Sequence, residues 1–190
     1  WLYGTGRNGK TTLAKLFLGL ISPRNAVSIP LEEFDGQHRF TKARLFGKLV
    51  NIVSEPGVTK LLLTSEFKQI TGGDLLTAEV KNKQKTIEFV NTTKMIILGN
   101  LFPQVNDTSD AFWERIILIN FPNQFTDTSI PDYEKVVVEM DGGYSGFLNW
   151  CLEGLNRLKG NNFHFTESKT SEKYKAEFEK VSDSIVAFIN

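Results

Sequence analysis

Nine residues near the start of the chain have the types and spacing to hold a triphosphate: Gly4-Thr5-Gly6-Arg7-Asn8-Gly9-Lys10-Thr11-Thr12. They fit the pattern of Gly, four residues, then Gly-Lys-Ser/Thr without mismatch. Glycines let a backbone turn tightly and aim its N–H groups at phosphate oxygens. Lys10 is expected to reach the β- and γ-phosphates, and the Thr11 hydroxyl to ligate Mg²⁺. The positive end of a helix dipole after the loop adds to the same attraction. Gly4, Gly6, Asn8, Gly9, Lys10, Thr11 and Thr12 are therefore the candidate nucleotide-binding residues, and Lys10 is also a catalytic candidate.

Such a loop must leave a strand and enter a helix. Trp1-Leu2-Tyr3 is apolar and reads as the end of a strand, while Leu13, Leu16, Phe17 and Leu20 recur at helical spacing. Further along, Lys48 to Glu55 forms a second apolar strand that ends in an acid. Lys60 to Ile70 reads as a helix stopped by Gly72-Gly73. Leu75 to Val80 and Thr86 to Val90 are short strands, and the polar basic turn Lys81-Asn82-Lys83-Gln84-Lys85 between them makes a β-hairpin. Lys94 to Asn100 and Arg115 to Phe121 read as buried strands, and Asp132 to Leu158 and Ser168 onward as mostly helical, with a turn at Gly160-Asn161-Asn162. Lys42 to Lys48 suggests a solvent-facing helix, and Glu32, Glu33 and Asp35 a solvated acidic loop. Near-continuously apolar strands separated by helices indicate an α/β sheet covered on both faces.

A triphosphatase of this kind needs an acid at a strand end beside the loop, to hold Mg²⁺ through water and to polarise the attacking water. Glu55 stands in that place, preceded by Ser54 where a second acid is common. Asn100, which ends the Met95–Leu98 strand, can orient water near the γ-phosphate. The ordinary alternatives are a surface carboxylate for Glu55 and, for Asn100, an amide that opens a turn before Pro103.

The chain has 190 residues and zero formal net charge, so it holds one domain, or one with an appendage, and any nucleic-acid site on it must be local. Its 15 Phe residues suit an aromatic-rich core, and the single Cys151 excludes an internal disulfide framework and fits a reducing compartment. No apolar run reaches membrane-spanning length. The chain opens three residues before the loop and lacks an initiator Met. A first strand has about five residues, so a trimmed piece of a longer polypeptide is expected.

The order of these motifs resembles the superfamily 3 helicases, and most closely the helicase part of phage-, plasmid- and large-DNA-virus-type primase–helicases. The likeness rests on Gly4–Thr12, Ser54-Glu55-Pro56, Ile70-Thr71-Gly72-Gly73-Asp74, Lys94–Asn100 with Pro103, Phe112-Trp113-Glu114-Arg115, Phe121-Pro122, and the segment Gly146-Phe147-Leu148-Asn149-Trp150. It implies an AAA+-like P-loop NTPase: a parallel-sheet core over residues 1–125 with a β-hairpin before the sensor strand, and a mostly helical region over 126–190. It implies a ring, usually a hexamer, with ATP and Mg²⁺ between subunits. Lys10, Thr11, Glu55 and Asn100 would act from one subunit and Arg115 would reach into the neighbour's site. Many relatives carry two arginines where this chain has Glu114-Arg115, and Arg7 and Arg157 are candidate second cations. Lys81, Lys83 and Lys85 would line the channel and grip single-stranded DNA through phosphates. An upstream primase or replication domain, and cytoplasmic work at the site of viral, phage or plasmid replication, are also implied.

Two rival readings stay open. A P-loop phosphotransferase or small-molecule kinase would use the same loop but leaves Thr71-Gly72-Gly73-Asp74 and Arg115 without a role. A non-catalytic, ATP-dependent oligomerisation or DNA-loading module would accommodate Ser54 in place of a second acid.

Overall fold

A computed structural model describes residues 1–34, 38–54, 64–82, 85–101, 105, 107, 109–126, 130, 132–139, 143–166 and 168–182, with the backbone alone for 181–182. In chain order the described elements are β1 (Leu2–Tyr3), α1 (Lys10–Ile21), β2 (Ala26–Val27), β3 (Val50–Ser54), α2 (Thr64–Gly72), β4 (Leu75–Glu79), β5 (Thr86–Val90), β6 (Lys94–Gly99), α3 (Asp110–Trp113), β7 (Ile119–Asn120), α4 (Tyr133–Glu139), α5 (Tyr144–Gly160) and α6 (Lys169–Ser182). Three short 3₁₀ turns, Pro23–Asn25, Leu31–Phe34 and Lys42–Leu45, fill the connection from α1 to β3.

Five strands form one sheet in the order β2-β3-β6-β1-β7, and every pair in it is parallel. The register aligns Ser54 with Leu98, Tyr3 with Gly99, and Tyr3 with Asn120. All the strands therefore finish on one edge, where the loops that follow them converge. Crossover connections place helices on the faces of such a sheet, so its strands must be apolar on both sides. Leu2, Val50, Val53, Ile97 and Leu98 are accordingly buried. Asn51 is the polar exception, fully buried in β3. Its amide accepts from the Ile29 N–H at 2.8 Å and donates to the Ile29 carbonyl at 3.0 Å, which prolongs the β2–β3 pairing beyond β2 itself.

The hairpin expected from the alternating runs is present as a separate two-stranded antiparallel sheet, β4 with β5. Leu76, Ala78 and Phe89 turn inward to a core shared with Ile29, Phe34, Leu45 and Ile70. Helix α1 follows the phosphate loop as expected, with Ala14 and Leu16 buried.

Three expectations change. The strand expected over 115–121 is reduced to β7, because the chain from Arg115 is still completing the turn after α3: the Arg115 N–H bonds the Phe112 carbonyl and the Ile116 N–H the Trp113 carbonyl. The helix expected over 42–48 is the 3₁₀ turn Lys42–Leu45 rather than a solvent-facing helix. Leu45 points into the core, and Lys42 bonds Glu66 at 2.6 Å and Gln69 at 2.8 Å across to α2. The acidic run is not wholly solvated, since Glu33 pairs with Arg44 at 2.7 Å; Asp35 lies outside the described residues.

The helices after residue 126 pack on the core. Phe17 of α1 meets Phe147 of α5 edge-on at 5.2 Å, and Lys15 pairs with Glu134 of α4 at 2.7 Å. From α6, Tyr174 and Phe178 contact Tyr3 with ring centroids 5.2 and 5.3 Å away. Among the described residues no helix is long and apolar enough to cross a membrane.

Candidate nucleotide site

The loop from Gly4 to Gly9 leaves β1 at the edge where the parallel strands end, which is where open α/β sheets place their ligands. Gly6 and Gly9 have φ of 116° and 84°, a region that side chains resist. Gly9 is the residue that caps α1. Among the described residues no side chain caps that end of the helix, and its first turn holds no acid. The orphan N–H groups and the positive end of the dipole are thus available to an anion.

Lys10 turns back under the loop and is buried. Its Nζ donates to the Gly4 carbonyl and to Asn8 Oδ1, both at 2.7 Å, and to Asn100 Oδ1 at 3.3 Å. Lys10 and Asn8 belong to one loop and Asn100 to a distant strand end, and the fold brings Asn100 to Lys10 across 90 residues of chain. Thr11 is exposed and Thr12 half-buried in the first turn of α1. Glu55, the expected base and Mg²⁺ partner, lies outside the described residues, but Ser54 before it is exposed at the end of β3, beside β6.

Asn8 does more than its place in a motif indicates. While its Oδ1 receives Lys10, its Nδ2 donates to the Phe121 carbonyl at 3.0 Å, just past β7. Position 4 has to be glycine for this to happen: a Cβ there would stand 2.0 Å from Asn8 Nδ2 and 2.7 Å from the Phe121 carbonyl oxygen. Two further bonds join the loop to the same segment. Gln124 Nε2 donates to Thr5 Oγ1 at 2.8 Å, and the Phe125 N–H to the Arg7 carbonyl at 2.8 Å. No sequence pattern announces Phe121, Gln124 and Phe125 as neighbours of the loop. Only the parallel pairing of β7 with β1 brings them there.

Arg115 lies at the other end of the sheet. It precedes β7, whereas the loop follows β1, so the length of the parallel strands separates them. The side chain is exposed and donates to the Ala111 carbonyl. It also stands beside Gly72, where an added Cβ would lie 3.6 Å from Arg115 Nη2 and 3.3 Å from Asp74 Oδ2. With Lys94, Thr71, Met95 and Ile116 it borders a cavity of about 350 Å³. Just upstream, Asp107 anchors the start of α3. Burial pushes its carboxyl up, but hydrogen bonds from Lys68 at 2.8 Å and from Ser109 overcome this and hold it well below the usual carboxylate range.

The hairpin turn presents Lys81 and Lys85 to solvent; Lys83 lies outside the described residues. Asn82 takes φ of 61°, and the Val80 N–H closes the turn on the Lys85 carbonyl at 3.2 Å. Arg7 and Arg157 are both exposed, Arg7 within the loop and Arg157 near the end of α5.

Comparison with known proteins places this geometry in context. Residues 2–115 match the family model described as "Family of unknown function (DUF5906)". A curated relative named "Putative helicase 121R", from Invertebrate iridescent virus 3, is 30% identical over 130 residues, covering 64% of this chain and 14% of the viral protein. A solved apo A-form structure of the NrS-1 C-terminal region superposes with a TM-score of 0.65 at 20% identity, covering 97% of this chain and 42% of that one. A second, of NrS-1 residues 305–718, gives 0.52 at 19% identity, covering 77% and 33%. At these identities the structural likeness shows a shared fold alone. The chain spans about a seventh of the viral relative and less than half of the first solved chain.

Proposed function

The chain belongs to the DUF5906 family, a family of unknown function, and on that premise we propose that it is the ATP-driven motor of a ring-forming DNA helicase of the superfamily 3, AAA+ kind. The observation that carries the reading is the convergence at the carboxyl edge of the parallel sheet. There a buried lysine, a strand-end asparagine and an uncapped helix N-terminus meet around a glycine-rich loop. The name of the viral relative supports it.

The residues fit ATP. The loop offers backbone N–H groups, the end of α1 offers its dipole, and Lys10 offers a charge held at the loop by the Gly4 carbonyl and Asn8 Oδ1. Hydrogen bonds to charged acceptors are roughly twice as strong as neutral ones, so phosphate oxygens compete well for Lys10. The hydroxyl of Thr11, with Glu55, would hold Mg²⁺, which would supply charge neutralisation to the phosphates. Glu55 takes a proton from the attacking water, and Asn100 orients that water from the end of β6. Arg115 stands too far along the sheet to serve its own loop, so its catalytic use is in the site of an adjoining subunit, where a cation stabilises charge on the transferring phosphoryl group. Lys81, Lys83 and Lys85 contact the phosphates of one DNA strand from the hairpin tip, and a hexameric ring with an upstream primase or replication domain is the setting.

The test is steady-state ATP hydrolysis with and without single-stranded DNA, on protein sized by analytical ultracentrifugation. Turnover that is raised by DNA and confined to an assembled species is the expected result. Turnover by a monomer indifferent to DNA would overturn the ring motor in favour of a phosphotransferase.

A further inference from the structure

The order of the strands gives a bound nucleotide a direction. Asn100 follows β6, and Ser54, the residue before Glu55, ends β3. Both of those strands lie on one side of β1, and β7 lies on the other. On the proposed reading the γ-phosphate sits towards Asn100 and Glu55. The triphosphate then crosses the loop away from β6, and the nucleoside leaves it on the side of β7. Neighbouring strands are about 4.8 Å apart, so the exits of β6 and β7 are separated by about 10 Å. The segment 121–125 follows β7 and lies on the nucleoside's side.

That segment is fastened to the loop at three places. Asn8 Nδ2 holds the Phe121 carbonyl at 3.0 Å, Gln124 Nε2 holds Thr5 Oγ1 at 2.8 Å, and the Phe125 N–H holds the Arg7 carbonyl at 2.8 Å. Arg7 has φ of 48°, a left-handed conformation uncommon for residues other than glycine, so the Phe125 backbone is bound to the turn of the loop itself. The two phenylalanines of the segment differ. Phe121 packs against Leu2, Ala14 and Leu98, whereas Phe125 is 47% exposed. A solvent-facing ring on a backbone pinned beside the loop offers a π-face on which a base can stack, and such stacking tolerates every base.

We infer that Phe125 is the stacking residue of this site and holds the base of the nucleotide whose phosphates the loop receives. This rests on the reading of the loop as a nucleotide site. It adds where the base lies, and that the Phe125 contact is made to the face of the base rather than to its hydrogen-bonding edge. Phe125 therefore raises affinity for nucleoside triphosphates as a class, ATP and GTP alike, and contributes nothing to the binding of phosphates alone.

The experiment titrates ATP, GTP and inorganic tripolyphosphate, each with Mg²⁺, into the 190-residue chain and its Phe125→Ala, Phe125→Leu and Phe125→Tyr variants by calorimetry. Melting curves identify the folded samples, and Phe125→Leu, which keeps apolar bulk without a π-face, carries the test should Phe125→Ala fail to fold. Phe125→Ala and Phe125→Leu are expected to lose about tenfold in affinity for both nucleotides and to leave tripolyphosphate within about twofold, while Phe125→Tyr keeps the affinity of the unmodified chain. Nucleotide affinity unchanged in Phe125→Ala would overturn the inference while leaving the nucleotide site intact. So would a loss shared equally by tripolyphosphate, or Phe125→Leu binding nucleotide as tightly as Phe125→Tyr, since either would make Phe125 a support of the loop. An unmodified chain that binds neither nucleotide nor tripolyphosphate would overturn the site itself, and this inference with it.

Discussion

The two ends of the parallel sheet are built on different terms. At the carboxyl edge, Lys10, Asn8, Gly4, Asn100 and Phe121 are tied into one another by bonds of 2.7–3.3 Å, and the polar side chains of Lys10 and Asn8 are buried. At the amino edge, Arg115 is exposed, bonded to the Ala111 carbonyl, and set beside a cavity with an apolar floor. The contrast teaches what each end can do alone. A buried cation is costly to place unless polar groups receive it, as Gly4, Asn8 and Asn100 receive Lys10. An exposed arginine with one guanidinium nitrogen on a carbonyl, as Arg115 Nη1 is on Ala111, has further N–H donors at the surface. On the proposed reading, the first end holds the nucleotide and the second acts on the site of an adjoining subunit.

The largest effects should separate the two ends outright. Lys10→Ala is expected to weaken binding of a fluorescent ATP analogue about 100-fold, since it removes a charged donor to the phosphates. Arg115→Ala should leave that binding within about twofold and lower turnover only where subunits assemble. Loss of nucleotide binding by a monomeric Arg115→Ala chain would erase the distinction.

The carboxyl edge can next be strained without touching its charge. Gly4→Ala would force a methyl group to within 2.0 Å of Asn8 Nδ2 and 2.7 Å of the Phe121 carbonyl, the second of which is backbone and cannot swing away. A stability loss of about 1–3 kcal/mol is expected in urea unfolding. An unchanged midpoint would mean that the seam between loop and β7 is slack.

The smallest effect sharpens the amino edge. Asp107 ties α2 to α3, and so sets the base from which Arg115 projects. Its carboxyl titrates below the ordinary range in the folded chain, so it binds fewer protons than the unfolded chain does near its normal pKa. The stability it contributes is therefore present above pH about 4 and is lost as the pH falls further, through the depressed value. Asp107→Asn should lower the melting temperature by a few degrees at pH 7, with the gap closing in acid. A gap that held constant below pH 4 would assign the loss to packing rather than to charge.

Much of the carboxyl edge could be read in the sequence because its signals are local. The glycine spacing, the helix after it and the two hairpin strands each sit within a short window, and the helix and the strands lie where expected. Asn100 could be named because a polar residue ending an apolar strand is conspicuous, although its contact with Lys10 could not be foreseen. The extent of β7 was misjudged because Arg115-Ile116-Ile117-Leu118 is as apolar as a strand, while its backbone hydrogen bonds are spent finishing the turn of α3. The 3₁₀ turn at 42–45 was misjudged because charged residues suggested exposure, when Leu45 is core and Lys42 is engaged by α2.

By itself, then, the sequence determined the chemistry on offer: a phosphate-type loop, a parallel α/β core to carry it, and a basic hairpin. These follow from spacing, and spacing acts through backbone geometry within a few residues. The tertiary structure alone decided that Asn8 spans from Lys10 to Phe121, that the segment at 121–125 fastens the loop, and that Arg115 faces away from the site of its own chain. Those relations join residues more than 100 positions apart. They depend on which strands lie side by side and in what register, and that choice is made by the packing of the whole sheet rather than by any one segment of it.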